Sequence, residues 1–72
     1  MKSYDLPREM KDILKVYEKK RREELSRREL RDECLHLPTK VFEKALMEMI
    51  YLGVLEGEMR NGGIYYRLKR NN

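Results

Sequence analysis

The sequence has little of several residue types, and each shortage excludes a class of structure. It contains one cysteine in 72 residues, so no disulfide can form within the chain, and a reducing cytoplasm is the expected compartment. The longest apolar run, residues 49–55, is far shorter than the roughly 20 residues that a membrane-spanning helix needs. The amino terminus also lacks the profile of a signal peptide. We therefore expect a cytoplasmic protein with no membrane partner.

Glutamine is absent as well, and asparagine occurs only at Asn61, Asn71 and Asn72. Few thermolabile amides and many charged residues, 42% of the chain, are typical of thermophiles, and a thermophilic source is expected. The thin core that this composition allows predicts additional stabilisation by a second copy or by charge networks at high temperature. The formal net charge of +4 suits an anionic partner, of which nucleic acid is the first candidate.

The spacing of apolar residues predicts one compact domain, residues 1–72, that begins with three helices. Pro7 suits the first position of a helix over about 7–22. Ser26 and Glu29 have the spacing of a capping box, which predicts a second helix over about 27–34. Pro38 begins a third helix over about 38–52, and Gly53 ends it. The apolar stripe of this third helix consists of Val41, Phe42, Ala45, Leu46, Met49 and Ile50.

After Gly53 the apolar pattern changes to a period of two, which predicts a β-hairpin over about 54–69. Asn61-Gly62 is the strongest short signal for a two-residue hairpin turn. With these two residues as the loop, every pair on the inward face is apolar or glycine. A slip of one residue would scatter the apolar residues over both faces, so the pattern predicts the register. The inward pairs are Met59 with Ile64, Gly57 with Tyr66 and Leu55 with Leu68.

Residues 25–68 resemble the winged helix-turn-helix domain of bacterial and archaeal transcriptional regulators. The residues that carry the resemblance are Leu25-Ser26, Glu29-Leu30, Phe42, Leu46, Met49, Gly53-Val54 and Tyr66-Arg67-Leu68. The resemblance implies an α+β fold of three helices and a two-stranded wing, with a short third strand near Leu25. It also implies sequence-specific binding of double-stranded DNA and transcriptional regulation, with the third helix in the major groove and the wing on flanking backbone. Two features depart from the family: Arg31 stands where a small residue is common, and the turn at 34–37 is one residue longer than most.

The face of the third helix opposite its apolar stripe carries the candidate readers of DNA bases. Lysine and threonine suit guanine edges, phosphates or a thymine methyl group, and glutamate can accept from a cytosine amino group. The alternative interpretation of the same residues is a solvated helix face. The candidate readers are Thr39, Lys40, Glu43, Lys44 and Met47.

Basic residues elsewhere are candidates for phosphate contacts. The densest basic group comprises residues 19–22 together with Arg27, Arg28 and Arg31. Arg28 is favoured, because it lies at the amino end of the second helix, where the helix dipole attracts anions. A solvated thermophilic surface would carry similar residues, so both interpretations stay open here.

The wing supplies a second set of candidates. Arg60 and Asn61 lie at its predicted tip, where a side chain can reach a minor groove or its phosphates. Arg67 and Lys69 follow in and after the last strand. Glutamates at 56 and 58 argue against binding along the stem, so only the tip and the last strand are expected to contact DNA.

Cys34 and His36 are the residues that could suggest a metal site or a nucleophile. A structural zinc site needs about four ligands, and a catalytic thiol needs an arranged base; the sequence shows neither set. Cys34 is therefore expected in the core and His36 on an exposed turn. Gly62-Gly63 also lacks the lysine of a phosphate-binding loop. We expect no enzyme activity, no catalytic residues, no metal, no cofactor and no small-molecule ligand.

Five apolar residues are not required by the predicted core: Tyr4, Leu6, Val16, Tyr51 and Leu52. Exposed apolar patches mark association sites, so these residues predict a homodimer. The alternative interpretation is that Tyr4 and Tyr51 pack on the first helix at the rim of the core. Two other classes of function stay open, since winged helices also bind proteins and RNA. The acidic face of the wing with Tyr51 and Leu52 would then dock a larger protein, or the chain would bind structured RNA.

Overall fold

The computed structural model describes residues 6–69. The helices are α1 (Arg8–Lys20), α2 (Arg27–Glu33) and α3 (Thr39–Tyr51), and the strands are β1 (Glu24–Ser26), β2 (Leu55–Arg60) and β3 (Gly63–Leu68). The strands form an antiparallel sheet in the order β1-β3-β2. A strand between the first two helices, followed by a third helix and a hairpin, is the winged-helix topology. The predicted α+β class and the short third strand near Leu25 are confirmed. Within the described part of the chain, no helix is both long enough and apolar enough to span a membrane.

The α2 helix begins at the predicted residue, Arg27, and the other helix ends lie within two residues of the predicted ends. At the end of α1, Arg21 adopts a left-handed φ of 54°, which turns the chain toward β1 two residues before the predicted end. At the start of α2, the predicted capping box is present: Glu29 N–H donates to Ser26 Oγ at 3.1 Å, and Ser26 N–H donates to the Glu29 carboxylate at 2.9 Å. Local polar groups thus determine where these helices begin and end.

The hairpin has the predicted register, with Arg60 opposite Gly63 and Leu55 opposite Leu68. Asn61 and Gly62 have φ values of 47° and 78°, as a type I′ turn requires of both central residues. β1 adds to the free edge of β3 and places Leu25 opposite Tyr66. Because β1 leads directly into α2, this pairing brings the amino end of α2 beside the hairpin.

The core lies between the helices and the inner face of the sheet. Tyr17 crosses it from α1 and donates its hydroxyl hydrogen to the Tyr66 carbonyl at 2.8 Å. Burial raises the pKa of Tyr17 far above its ordinary value. The buried residues are Leu6, Met10, Ile13, Val16, Tyr17, Leu25, Leu30, Cys34, Phe42, Ala45, Leu46, Met49, Leu55 and Tyr66.

Two residues that we expected outside the core belong to it. Val16 is buried because it lies on the same face of α1 as Ile13, three residues earlier. Leu6 precedes Met10 by four residues and is buried in the same cluster. The expectation that Leu6 and Val16 belong to a dimer surface is therefore wrong.

Three expected core residues are instead exposed. Val41 and Ile50 lie at the two margins of the buried face of α3, and their exposed fractions are 38% and 41%. Met59 is 75% exposed although its pairing with Ile64 is as predicted. The reason is its position along the hairpin: β1 extends only as far as the Ser26 and Tyr65 pair, and Met59 lies beyond it.

Candidate nucleic-acid interface

The face of α3 opposite its buried residues is open to solvent. Phe42 and Leu46 are buried as predicted. Four exposed residues, Lys40, Lys44, Met47 and Tyr51, recur on the other side at the spacing of a single helix face, and we call them the α3 stripe. Met47 is 71% exposed and Tyr51 is 90% exposed. The stripe joins three predicted base readers to Tyr51, a residue of the predicted dimer surface.

The other two predicted readers, Thr39 and Glu43, lie beside the stripe and bind α2. The Glu43 carboxylate accepts a hydrogen bond from the Arg27 guanidinium. The Thr39 hydroxyl oxygen accepts one from Arg31 Nη2 at 3.2 Å. DNA bases would have to compete with these arginines for both side chains.

Arg31 explains the two departures from the winged-helix pattern. Its Nη1 donates to the carbonyl oxygens of Cys34 at 3.2 Å and Leu37 at 2.8 Å, both in the long turn between α2 and α3. Its guanidinium also lies 5.2 Å from the centre of the Phe42 ring. The large side chain at 31 thus satisfies the carbonyls of the longer turn, and the two departures depend on each other.

Arg28 lies at the amino end of α2 and is exposed. Neither it nor Lys40 nor Lys44 has an ion-pair partner within residues 6–69. Arg28 also lines an open groove of about 760 Å³ between α2 and the hairpin tip. The groove takes Arg27, Arg28 and Arg31 from α2 and Asn61, Gly62 and Gly63 from the tip.

The two arginines predicted as wing contacts bind acidic residues of the sheet. Arg60 Nη2 lies 2.5 Å from Glu24 Oε2, and the guanidinium lies 4.5 Å above the centre of the Tyr65 ring. Arg67 Nη2 lies 3.6 Å from the same Glu24 oxygen. The hydrogen bond from Arg60 lowers the pKa of Glu24. Arg60 therefore joins the hairpin to β1.

The remaining wing candidates differ in how they are placed. Asn61 is exposed at the turn and lines the groove. Lys69 is exposed just after β3, and its backbone N–H donates to the Val54 carbonyl at 2.9 Å, which holds the chain beside the start of the hairpin. The groove therefore brings Asn61, but not Lys69, together with Arg28.

Much of the dense basic group is neutralised by glutamates. Lys19 and Lys20 lie 3.0 and 3.6 Å from the Glu33 carboxylate, and Arg22 lies 2.7 Å from that of Glu29. Hydrogen bonds from Lys19 and Lys20 lower the pKa of Glu33. Hydrogen bonds from the Ser26 amide and Arg22 lower the pKa of Glu29. Charge density in the sequence thus overstates the positive charge that this surface offers to an anion.

Cys34 and His36 have the predicted placements, one in the core and the other on an exposed turn. Burial raises the pKa of the Cys34 thiol. His36 Nε2 lies 3.0 Å from Asp12 Oδ2 and joins the turn to α1. Within residues 6–69, no group of three or more histidine, cysteine, aspartate or glutamate residues is arranged to hold a metal ion.

The predicted dimer surface is divided by the fold. Tyr51 and Leu52 are exposed, at 90% and 41%, whereas Leu6 and Val16 are buried. Tyr4 lies outside the described residues. Met47, one turn before Tyr51, extends the exposed apolar surface along α3. The spacing of 47 and 51 signals this in the sequence.

Sequence reasoning missed the groove. The groove exists because Ser26 pairs with Tyr65, which sets the amino end of α2 beside the hairpin tip. No local pattern predicts that pairing, since the two residues lie far apart in the chain. Comparison with known proteins finds no family model, no curated protein and no solved structure that matches this chain.

Proposed function

We propose that this chain binds double-stranded DNA sequence-specifically and regulates transcription. In this proposal α3 lies in the major groove, the amino end of α2 meets a phosphate, and the hairpin tip lies against flanking backbone. The observation that carries the proposal is that Arg28, Lys40 and Lys44 are exposed and have no ion-pair partner within residues 6–69.

The contacts between α2 and α3 support the proposal, because they hold these cations on adjoining elements. Arg27 at the start of α2 binds Glu43 and Arg31 in its last turn binds Thr39, so α2 is tied at both ends to the first two turns of α3. Arg28 follows Arg27 in sequence, and the two lysines follow Thr39 and Glu43. A rigid arrangement of this kind suits contacts that must meet phosphates and base edges together.

The groove beside Arg28 supports a backbone contact at the same place. Its lining combines Arg28 of α2 with Asn61 of the turn, and both side chains suit phosphate oxygens; Asp32, which also lines the groove, is the one acidic residue among the lining residues. Arg60 and Arg67 contribute less in this proposal, because Glu24 already neutralises part of their charge. Among the wing candidates, we therefore place most weight on Asn61.

A gel shift with duplex DNA at about 50 mM and about 200 mM salt tests the proposal. If roughly four to eight phosphates are neutralised, affinity falls by orders of magnitude between these two conditions. Selection from random duplexes then tests specificity with variants. Lys44→Ala should relax preference at one or two base pairs and cost about 1–3 kcal/mol on the preferred site, because base contacts carry the sequence information.

The matched control is Lys15→Ala, which removes the same charge from an exposed position of α1. It should leave the selected sequence unchanged. Absence of binding at both salt concentrations, or an affinity that salt does not change, would contradict DNA binding. A preference for structured RNA over duplex DNA would indicate RNA as the partner.

The exposure of Met47 and Tyr51 favours a second candidate function, which is docking to another protein. This function predicts that truncation of Tyr51 abolishes partner binding while duplex DNA is not bound at low salt. The gel shift therefore separates the two functions before any partner is known.

A further inference from the structure

The α3 stripe has different chemistry at its two ends. Lys40 and Lys44 make the amino half cationic, whereas Met47 and Tyr51 make the carboxyl half apolar and aromatic. Glu48 borders the carboxyl half and is exposed, and no ion pair within residues 6–69 involves it. Lys44 and Glu48 lie one turn apart and yet do not pair with each other. The lysines of the amino half could therefore bind the tyrosine ring and the neighbouring carboxylate of the carboxyl half of a second copy.

A twofold axis that runs between two copies of α3, perpendicular to both helices and level with Leu46, matches these halves. Such an axis makes two copies of the helix antiparallel, and position n then faces position 92 minus n of the partner. Lys44 faces the partner's Glu48. Lys40 faces position 52 of the partner and so lies beside the partner's Tyr51, offset along the helix by the rise of one residue, about 1.5 Å. Lys44 and Glu48 lie one helical turn apart on the same flank of the stripe. The twofold axis keeps that flank on the same side of the interface in both copies, so both Lys44–Glu48 pairs can form. Met47 meets the partner's Met47 near the axis.

We propose that this chain self-associates through the α3 stripe, with two copies antiparallel about a twofold axis at Leu46. The pairing contains two Lys44–Glu48 ion pairs, two contacts of Lys40 with a tyrosine ring, and a central methionine contact. Ammonium groups are attracted to tyrosine faces, and thioether side chains adapt to one another. An isologous contact of this kind closes after two copies, so it produces a dimer.

The interface is small, because one 13-residue helix supplies it. Standard protein interfaces bury about 800 Å² per partner, so this association is weak and requires high protein concentration. The same stripe is used in the proposed DNA complex, and the two uses therefore exclude each other. The dimer nevertheless does not depend on DNA binding, and its test uses protein alone.

Charge reversal tests the pairing by sedimentation velocity at protein concentrations up to about 1 mM, the range in which weak interfaces associate. The wild-type protein should sediment as a monomer–dimer mixture. Lys44→Glu places two like charges opposite each other, and Glu48→Lys does the same, so each variant alone should sediment as a monomer. An equimolar mixture of the two variants should restore the dimer, because both pairs are then attractive again. The double variant should also dimerise.

Lys15→Glu is the matched control, since it makes the same charge change at an exposed position of α1. It should leave the dimer fraction at the wild-type level. All of these positions are exposed, and circular dichroism verifies that each variant is folded. A monomeric wild-type protein at about 1 mM would overturn the proposal. A dimer that persists in both single variants would overturn it equally, because another face would then be in contact.

Discussion

Arginine side chains join parts of this molecule that lie far apart in the sequence. Arg31 binds two carbonyls of the turn at 34–37 and the hydroxyl of Thr39. Arg60 joins the hairpin to β1 through Glu24, and Arg27 joins α2 to α3 through Glu43. A guanidinium presents five N–H donors in one plane and can bind several acceptors together, whereas an ammonium is a compact point charge. Lysine cannot replace arginine at such positions without loss of contacts.

Arg31→Lys should therefore lower the free energy of unfolding by about 1–2 kcal/mol, because at least two of the three hydrogen bonds that Arg31 donates are lost. Denaturation by urea measures the change. Arg28→Lys is the matched control: Arg28 is exposed and has no ion-pair partner within residues 6–69, so its replacement should change stability by less than about 0.5 kcal/mol. Equal effects of the two substitutions would show that the hydrogen bonds of Arg31 do not stabilise the fold.

At the scale of elements, two helices end in the same way but with different residues. α3 ends at Gly53 with φ 80°, where Val54 N–H bonds to the Met49 carbonyl at 2.8 Å. α1 ends at Arg21 with φ 54°, where Arg22 N–H bonds to the Tyr17 carbonyl at 3.3 Å. Both are Schellman-type ends, which favour glycine at the left-handed position. Arg21 adopts a conformation that residues with a Cβ atom disfavour.

Substitution at these two ends should have opposite effects. Arg21→Gly should stabilise the protein by about 0.5–1 kcal/mol, since relief of the left-handed strain exceeds the entropy that glycine adds to the unfolded chain. Gly53→Ala should destabilise it by about 1 kcal/mol. A Cβ added at Gly53 meets no atom within 4 Å, so this loss is conformational and not a clash. Thermal melting of both variants decides the matter, and two shifts of the same sign would refute the argument.

The elements that short-range patterns specify were predicted well. The capping box at Ser26, the terminator at Gly53 and the Asn61-Gly62 turn each depend on neighbouring residues, and the structure has all three. The hairpin register follows from the turn and the alternation of side chains, so it was predictable too. Four of the six residues in the predicted apolar stripe of α3 are buried, and the other two, Val41 and Ile50, lie at its margins.

The features that were predicted wrongly or not at all depend on contacts between residues that are distant in the sequence. The engagement of Arg60 by Glu24 and the groove beside Arg28 both follow from β1 pairing with β3, which no local pattern reveals. Burial of Leu6 depends on where α1 packs. Exposure of Met59 depends on how far β1 extends along the hairpin. The exposed face of α3 was thus predictable, whereas the partners of each cation were not.

For the whole molecule, ionisation sets the pH range of stability. Hydrogen bonds lower the pKa values of Glu24, Glu29 and Glu33 in the folded state. Their stabilisation is therefore complete above the ordinary glutamate pKa of about 4.3 and is lost as the pH falls through the lowered values. The pKa of Tyr17 shifts in the opposite direction, because burial raises it. The contribution of Tyr17 to stability is therefore complete below about pH 10 and is lost as the pH rises further.

Burial raises the pKa of the Cys34 thiol as well, so the alkaline decline begins near the ordinary cysteine pKa of about 8.5. The unfolding free energy should consequently be nearly constant between about pH 5 and pH 8 and fall on both sides. Tyr17→Phe tests the contribution of the tyrosine. It removes the tyrosine hydroxyl and keeps the Cys34 thiol, so the decline above about pH 10 should become smaller, while the plateau drops by about 1–2 kcal/mol because the Tyr66 carbonyl loses this donor. Urea titrations at a series of pH values measure both effects. An alkaline decline of equal steepness in the variant would assign the loss to other groups.

The strand order has a consequence for how the chain folds during its synthesis. β3 is the last strand to be made, yet it is the middle strand of the sheet. Until residues 63–68 have left the ribosome, β1 has no partner, β2 has none either, and the Tyr17 hydroxyl has no Tyr66 carbonyl to bind. The helices can form early, but they have no sheet to close their core. The sheet therefore cannot form until β3 is inserted between the two strands that preceded it.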